Sequence, residues 1–171
     1  MTLGFAILGA GRIGQAHARA ISATPGASFV ALAEPFQQAA DDMAARYGCD
    51  LRTIDEIASS DDVQAVAICT PTDTHADLIE KFARAGKAIF CEKPVDLSAE
   101  RVKQALATVE ETGAKLMVAY RLHCEPGTVA MVEAVRQGLI GKPRFFTSTF
   151  SQTVKLSNHR AQHGYWAGPV P

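Results

Sequence analysis

The chain lacks what would direct it to a membrane, a nucleic acid or an oxidising compartment. Lys plus Arg is 17 against 18 Asp plus Glu in 171 residues, a formal net charge of −1. There is no basic excess to neutralise a phosphate backbone, so no nucleic-acid partner is expected. No apolar run approaches the roughly 18 residues of a membrane span, so no membrane partner is expected either. The segment Met1–Ile7 has no basic n-region, which argues against a secretory signal. Cys49, Cys69, Cys91 and Cys124 are 20, 22 and 33 residues apart, and no pair has zinc-finger or CxxC spacing. They are read as reduced thiols of a cytoplasmic protein with no metal site. Internal repeats and low-complexity stretches are also missing.

What is present is an alternation of short apolar runs and helical stripes. Leu3–Leu8 has strand length, and Ile13, Ala16, His17, Ala20 and Ile21 then recur at helical spacing up to Pro25-Gly26. Ser28–Ala33 is a second strand, followed by a helix with Ala39, Ala40, Met43, Ala44 and Tyr47 inward and Gly48 as its C-cap. Leu51–Ile54 is expected as a short strand, with Asp55 capping a brief helix through Ser59. Val63–Cys69 is a buried strand. Thr72 or Asp73 is expected to cap the next helix, with Ala76, Ile79, Phe82 and Ala83 inward and Gly86 at its end. Lys87–Cys91, a helix capped by Ser98 and closed by Gly113, and Leu116–Ala119 complete the series. Short apolar strands alternating with helices predict an α/β fold, a doubly wound parallel sheet of the Rossmann type, over residues 1–120.

The first turn carries chemistry. Gly9-x-Gly11-x-x-Gly14 follows a strand and opens a helix, and Glu34 stands 20 residues beyond Gly14 at the end of the second strand. That context points to a dinucleotide site. Gly9 permits the tight turn, Gly11 lets a pyrophosphate approach, and Gly14 lets helix and strand pack closely. The helix N-terminus supplies N–H groups for the anion, with Arg12 and Ile13 beside it. Glu34 accepts from the ribose diol and repels a 2′-phosphate, which favours NAD over NADP. Pro35-Phe36 either covers the adenine face or places a buried Phe at the helix start.

Three motifs in order carry a family resemblance: Gly-Ala-Gly-Arg-Ile-Gly-Gln-Ala-His-Ala at 9–18, Cys-Thr-Pro-Thr-Asp-Thr-His at 69–75 and Cys-Glu-Lys-Pro at 91–94. Together they resemble the Gfo/Idh/MocA oxidoreductases, from Leu3 to about Phe150. The resemblance implies hydride transfer between a nicotinamide cofactor and a sugar, polyol or related carbinol. It implies that Thr70, Pro71 and His75 line the nicotinamide ribose region. Glu92, Lys93 and Pro94 would form a turn, often with a cis bond before the Pro, that places Lys93 at the substrate hydroxyl as the catalytic residue. Arg121 would reach cofactor or substrate. A Lys in such a place can stabilise alkoxide charge and assist proton transfer. His123 is read as core or surface.

After Tyr120 the rhythm changes. Glu125–Gln137 is expected as a helix and Arg144–Val154 as an antiparallel strand, the start of a second α/β domain over 121–171. One helix and one strand cannot enclose a core, and the family is about twice as long, so a fragment of a longer protein is expected, homo-oligomeric through its second domain. Two other functions stay open: a cofactor-binding module without chemistry, and a relative that recycles NAD during glycosidic bond cleavage.

Overall fold

A computed structural model describes residues 2–149 and 151. The strands are β1 (Leu3–Leu8), β2 (Ala27–Ala33), β3 (Asp50–Leu51), β4 (Ala65–Ile68), β5 (Ala88–Cys91) and β6 (Leu116–Val118). The helices are α1 (Arg12–Ala23), α2 (Gln37–Tyr47), α3 (Ile54–Ser59), α4 (His75–Arg84), α5 (Ala99–Thr112) and α6 (Pro126–Arg136). All strand pairs are parallel, in the order β3-β2-β1-β4-β5-β6. That is the doubly wound dinucleotide-binding order, as expected from the alternation. Among the described residues no helix is long and apolar enough to cross a membrane.

Alternate residues of a strand point to opposite faces, and here both faces are apolar. Ala6, Leu8, Val66 and Ile68 pack with Ile79 and Phe82 of α4 and Ala105 of α5. Ile7, Leu32 and Ala67 pack on the other face with Ala18 of α1 and Met43 of α2. The central strands are therefore buried on both sides, which is why they read as continuous apolar runs. Gly48 and Gly113 adopt left-handed conformations at the ends of α2 and α5, and the Ser98 side chain caps α5.

Three local expectations are corrected. The third strand is Asp50–Leu51, not Leu51–Ile54, and Thr53 rather than Asp55 caps the next helix. Thr53 and Glu56 form a reciprocal capping box, which takes the chain out of extended pairing before Ile54. Neither Thr72 nor Asp73 stands at the start of α4. Thr72–Thr74 is a 3₁₀ turn, and α4 begins at His75. The Thr74 N–H and hydroxyl both donate to the Pro71 carbonyl, at 3.0 and 2.7 Å, which tightens that turn.

The chain divides into two compact units, Met1–Cys124 and Glu125–Pro171. The 3₁₀ turn Arg121–Cys124 thus belongs to the first unit. In the second, Glu125 caps α6 by accepting from the Gly127 and Thr128 N–H groups. The strand expected over Arg144–Val154 is not formed at residues 144–149 or 151, and the rest of it lies outside the described residues. A strand needs a partner for its backbone groups, and no other strand of that unit is among the described residues.

Candidate active site

Parallel pairing locates the site before any side chain is considered. The register sets Leu8 beside Ala33 and Ile68, Ile68 beside Cys91, and Cys91 beside Val118. The following residues therefore leave the sheet along one line: Gly9, Glu34, Cys69-Thr70, Glu92 and Ala119-Tyr120. Open α/β sheets bind ligands at that edge.

The glycines act by what they leave out. Gly9 has φ +100°, and a Cβ there would lie 2.9 Å from the Cys69 carbonyl oxygen. A Cβ on Gly14 would overlap the Gly9 carbonyl oxygen, so α1 starts flush against its own turn. A Cβ on Gly11 would meet no heavy atom within 4 Å. That open space adjoins the N-terminus of α1, where no side chain caps the first N–H groups. Arg12 is exposed and Ile13 half-buried beside it. Unclaimed donors and a cleared approach fit the pyrophosphate of a dinucleotide.

Glu34 is more than an acceptor at a strand end. The Ala10 N–H donates to its Oε2 at 2.6 Å and the Phe36 N–H to its Oε1 at 2.8 Å. The carboxylate thus ties the end of β2 to the glycine turn. Each carboxylate oxygen accepts about two hydrogen bonds, so capacity for a ribose diol remains. Phe36 is 77% exposed, which removes the alternative of a buried ring at the start of α2.

The loop after β4 is held by hydroxyls. Thr74 spends its only hydroxyl hydrogen on the Pro71 carbonyl, so Thr70 donates to Thr74 Oγ1 at 2.6 Å. His75, expected to line the nicotinamide ribose region, is buried. Its ring is 2% exposed, with Nδ1 2.8 Å from the Pro94 carbonyl and Nε2 2.9 Å from the Thr70 carbonyl. A carbonyl only accepts, so a neutral ring donates to one of them, and the doubly protonated ring donates to both.

The Lys93-Pro94 bond is cis. Glu92 faces His17 of α1, with Oε1 2.8 Å from Nε2, and its Oε2 accepts from the Lys93 N–H at 3.3 Å. Burial pushes the Glu92 carboxyl up, but the His17 hydrogen bond and charge, then the Lys93 N–H and charge, outweigh it and hold the group below its ordinary range. Lys93 is exposed, and among the described residues its ammonium has no ion-pair partner. Burial, with Glu92 adding to it, pushes the Cys69 and Cys91 thiols up to about 12, so both are inert packing groups. The Ala119 N–H donates to the Cys91 carbonyl at 2.8 Å, which carries the β5–β6 pairing one residue past Val118, and Arg121, two residues further on, is exposed. His123 is exposed.

His17 is the residue that sequence reasoning passed over. It appears in the sequence as one member of the stripe of α1 and inside the motif at 9–18, with no role of its own. Its signal is that it is the one polar side chain in that stripe. A cavity of about 370 Å³ lies toward the amino ends of the strands, lined by Phe5, His17, Ile21, Ile89, Phe90 and Met117. Its walls are almost wholly apolar, so it does not answer to a dinucleotide. Among the described residues no group of three or more His, Cys, Asp or Glu is placed to hold a metal ion.

The profile of the oxidoreductase family with an NAD-binding Rossmann fold, GFO_IDH_MocA, matches residues 3–120. The chain is 54% identical over 149 residues to inositol 2-dehydrogenase of Rhizobium meliloti, covering 87% of this chain and 45% of that protein. It is 37% identical over 144 residues to scyllo-inositol 2-dehydrogenase (NAD(+)) of Bacillus subtilis, covering 82% and 42%. Among solved structures, a putative myo-inositol dehydrogenase from Sinorhizobium meliloti superposes with TM-score 0.79 at 55% identity, over 82% of this chain and 43% of that one. The chain thus spans less than half the length of these relatives. The match takes in most of its residues, and the chain belongs to the Gfo/Idh/MocA oxidoreductases, whose NAD-binding Rossmann fold it carries.

Proposed function

We propose that this chain is the cofactor-binding part of an NAD-dependent dehydrogenase that oxidises a ring hydroxyl of a cyclic polyol of the inositol kind. The observation that carries the reading is the shared edge: an exposed Lys93 leaves the sheet in line with a glycine turn cleared for a pyrophosphate. The names of the relatives supply the substrate class.

Gly9, Gly11, Arg12, Ile13 and Gly14 would hold the pyrophosphate. Glu34 would hold the adenine ribose. Thr70, Pro71, Glu92 and Arg121 would border the nicotinamide end, with His75 behind them. When bound, the cofactor supplies the hydride acceptor. Lys93 would hydrogen-bond the substrate hydroxyl through Nζ, stabilise negative charge on that oxygen as its carbon is oxidised, and take up the hydroxyl proton as it passes one of its own to the water around its exposed side chain. NAD is favoured over NADP because a 2′-phosphate would meet the Glu34 carboxylate. The unit beginning at Glu125 is proposed as the start of a substrate and homo-oligomerisation domain, and the compartment as the cytoplasm.

Two measurements test this. Calorimetric titration of the chain with NAD and NADP reads binding and preference. A chimera in which this chain replaces the matching segment of the Rhizobium meliloti relative reads hydride transfer, and formation of NADH with myo- or scyllo-inositol is expected. A chimera that folds and binds NAD but forms no NADH with any polyol would reduce the reading to a cofactor-binding module.

A further inference from the structure

We infer that His17 and His75 are positioning residues that clamp the turn carrying Lys93 at both of its neighbours. The inference rests on the role proposed for Lys93. Among the described residues no ion pair fixes the Lys93 ammonium, so where it can reach is set by the backbone on either side. On one side, Glu92 is held by His17, with Nε2 2.8 Å from Oε1. On the other, the Pro94 carbonyl is held by His75 at 2.8 Å. The second nitrogen of His75 reaches the Thr70 carbonyl at 2.9 Å, so one ring joins the loops after β4 and β5.

The two histidines come from helices on opposite faces of the sheet. His17 is on α1, which packs with the Ile7, Leu32 and Ala67 face, and His75 opens α4, which packs with the Leu8, Val66 and Ile68 face. The turn is therefore gripped from above and below. Helix α1 also presents its uncapped N-terminus to the pyrophosphate site, so one rigid element would locate both the cofactor anchor and the lysine turn. If His17 served only to fill space against Phe90, whose ring lies edge-on at 5.0 Å, a leucine would do as well. The directed bond to a carboxylate, with the two side chains only 23% and 16% exposed, argues otherwise. His75 has a comparable requirement, since an apolar replacement would remove the ring N–H and leave the carbonyl it serves without its donor. Holding reacting groups to a fraction of an ångström is where a distant substitution costs rate without costing affinity.

The test uses the full chain with its lysines ¹³C-dimethylated, which keeps their charge, and NAD⁺ as the probe. The Lys93 signal is assigned by its loss in Lys93→Arg. In the wild type, NAD⁺ is expected to shift that signal. In His17→Leu the shift should fall by more than about half and exchange of the Lys93 amide should rise about tenfold, while β4 amides exchange as before. NAD⁺ affinity should stay within about twofold, because the glycine turn and Glu34 are separate contacts. His17→Gln keeps an N–H donor and should restore both readings. His75→Ala should repeat the pattern, and if it does not fold the His17 pair still decides. An unchanged Lys93 amide in His17→Leu, exchange rising equally throughout β4, or no rescue by His17→Gln would each overturn the clamp. If NAD⁺ leaves Lys93 unshifted in the wild type, the role proposed for Lys93 fails, and Lys93 amide exchange still decides the clamp.

Discussion

Two loops leave the same sheet edge and are built by opposite means. After β1 the chain removes atoms: Gly9, Gly11 and Gly14 keep Cβ atoms out, and unclaimed backbone N–H groups remain at the head of α1. After β5 it adds them: Glu92, His17 and His75 surround a turn with directed side-chain bonds. The difference fits what each loop is proposed to meet. A pyrophosphate is bound by many equivalent donors at close range, which backbone alone supplies. A proton transfer needs one group in one place, which only braced side chains provide. Glu34 belongs to both styles, since it is a side chain that braces the glycine turn from β2.

This contrast can be broken first at Gly14. Gly14→Val would drive a branched side chain into the Gly9 carbonyl oxygen, and should destabilise the domain by about 3 kcal/mol or more. Thermal melting would show it, and cofactor binding should be lost with the fold. Lys93→Ala should do the reverse on the other loop. In the chimera it should lower polyol oxidation by roughly 10²–10⁴, the range of a positioned acid–base group, while titration finds NAD⁺ affinity unchanged.

Gly11→Val sharpens the comparison, because there a Cβ meets no atom within 4 Å beyond its chain neighbours among the described residues. The melting temperature should hold while NAD⁺ affinity falls by about 10²-fold, the loss of two charge-assisted hydrogen bonds at roughly 1.5 kcal/mol each. Unchanged binding would remove the pyrophosphate from this turn. Glu34→Ala should narrow the preference for NAD over NADP by about 1–3 kcal/mol, read by titrating both cofactors.

The smallest effect is a pH dependence at Glu92. Its folded carboxyl titrates below the ordinary value of 4.5. Its stabilising contribution is therefore complete above that value and is lost as pH falls through the lower, folded one. Melting curves at falling pH should show Glu92→Gln losing less stability in acid than the wild type. A parallel loss would show that the His17 bond does not hold Glu92 in its charged form.

Much of this was legible in the sequence because it rests on local rules. Continuous apolar runs announced buried parallel strands, Gly48 and Gly113 marked helix ends, and the spacing from Gly9 to Glu34 marked a dinucleotide turn. Short elements were less legible. Thr53 and Asp55 are both fair caps, and only the reciprocal bonds with Glu56 select Thr53. Phe36 had two readings until its exposure separated them. The resemblance sets His75 along the nicotinamide ribose, with no sign that its ring is buried against two carbonyls, while His17 looked like one step of a helical stripe and reaches a carboxylate 75 residues away.

The sequence by itself determined the alternation of elements, the parallel class of the sheet, the glycine turn and the family. The first three depend on periods of two and 3.6 residues and on backbone conformations that a few residue types impose, and the family on the motifs at 9–18, 69–75 and 91–94 that resemble it. The tertiary structure alone decided which polar groups meet. His17 with Glu92, His75 with Thr70 and Pro94, and Glu34 with Ala10 are pairs that no periodicity encodes. They exist because parallel register brings five strand exits to one edge, where an unmatched carboxylate or carbonyl costs free energy unless a donor from another element reaches it.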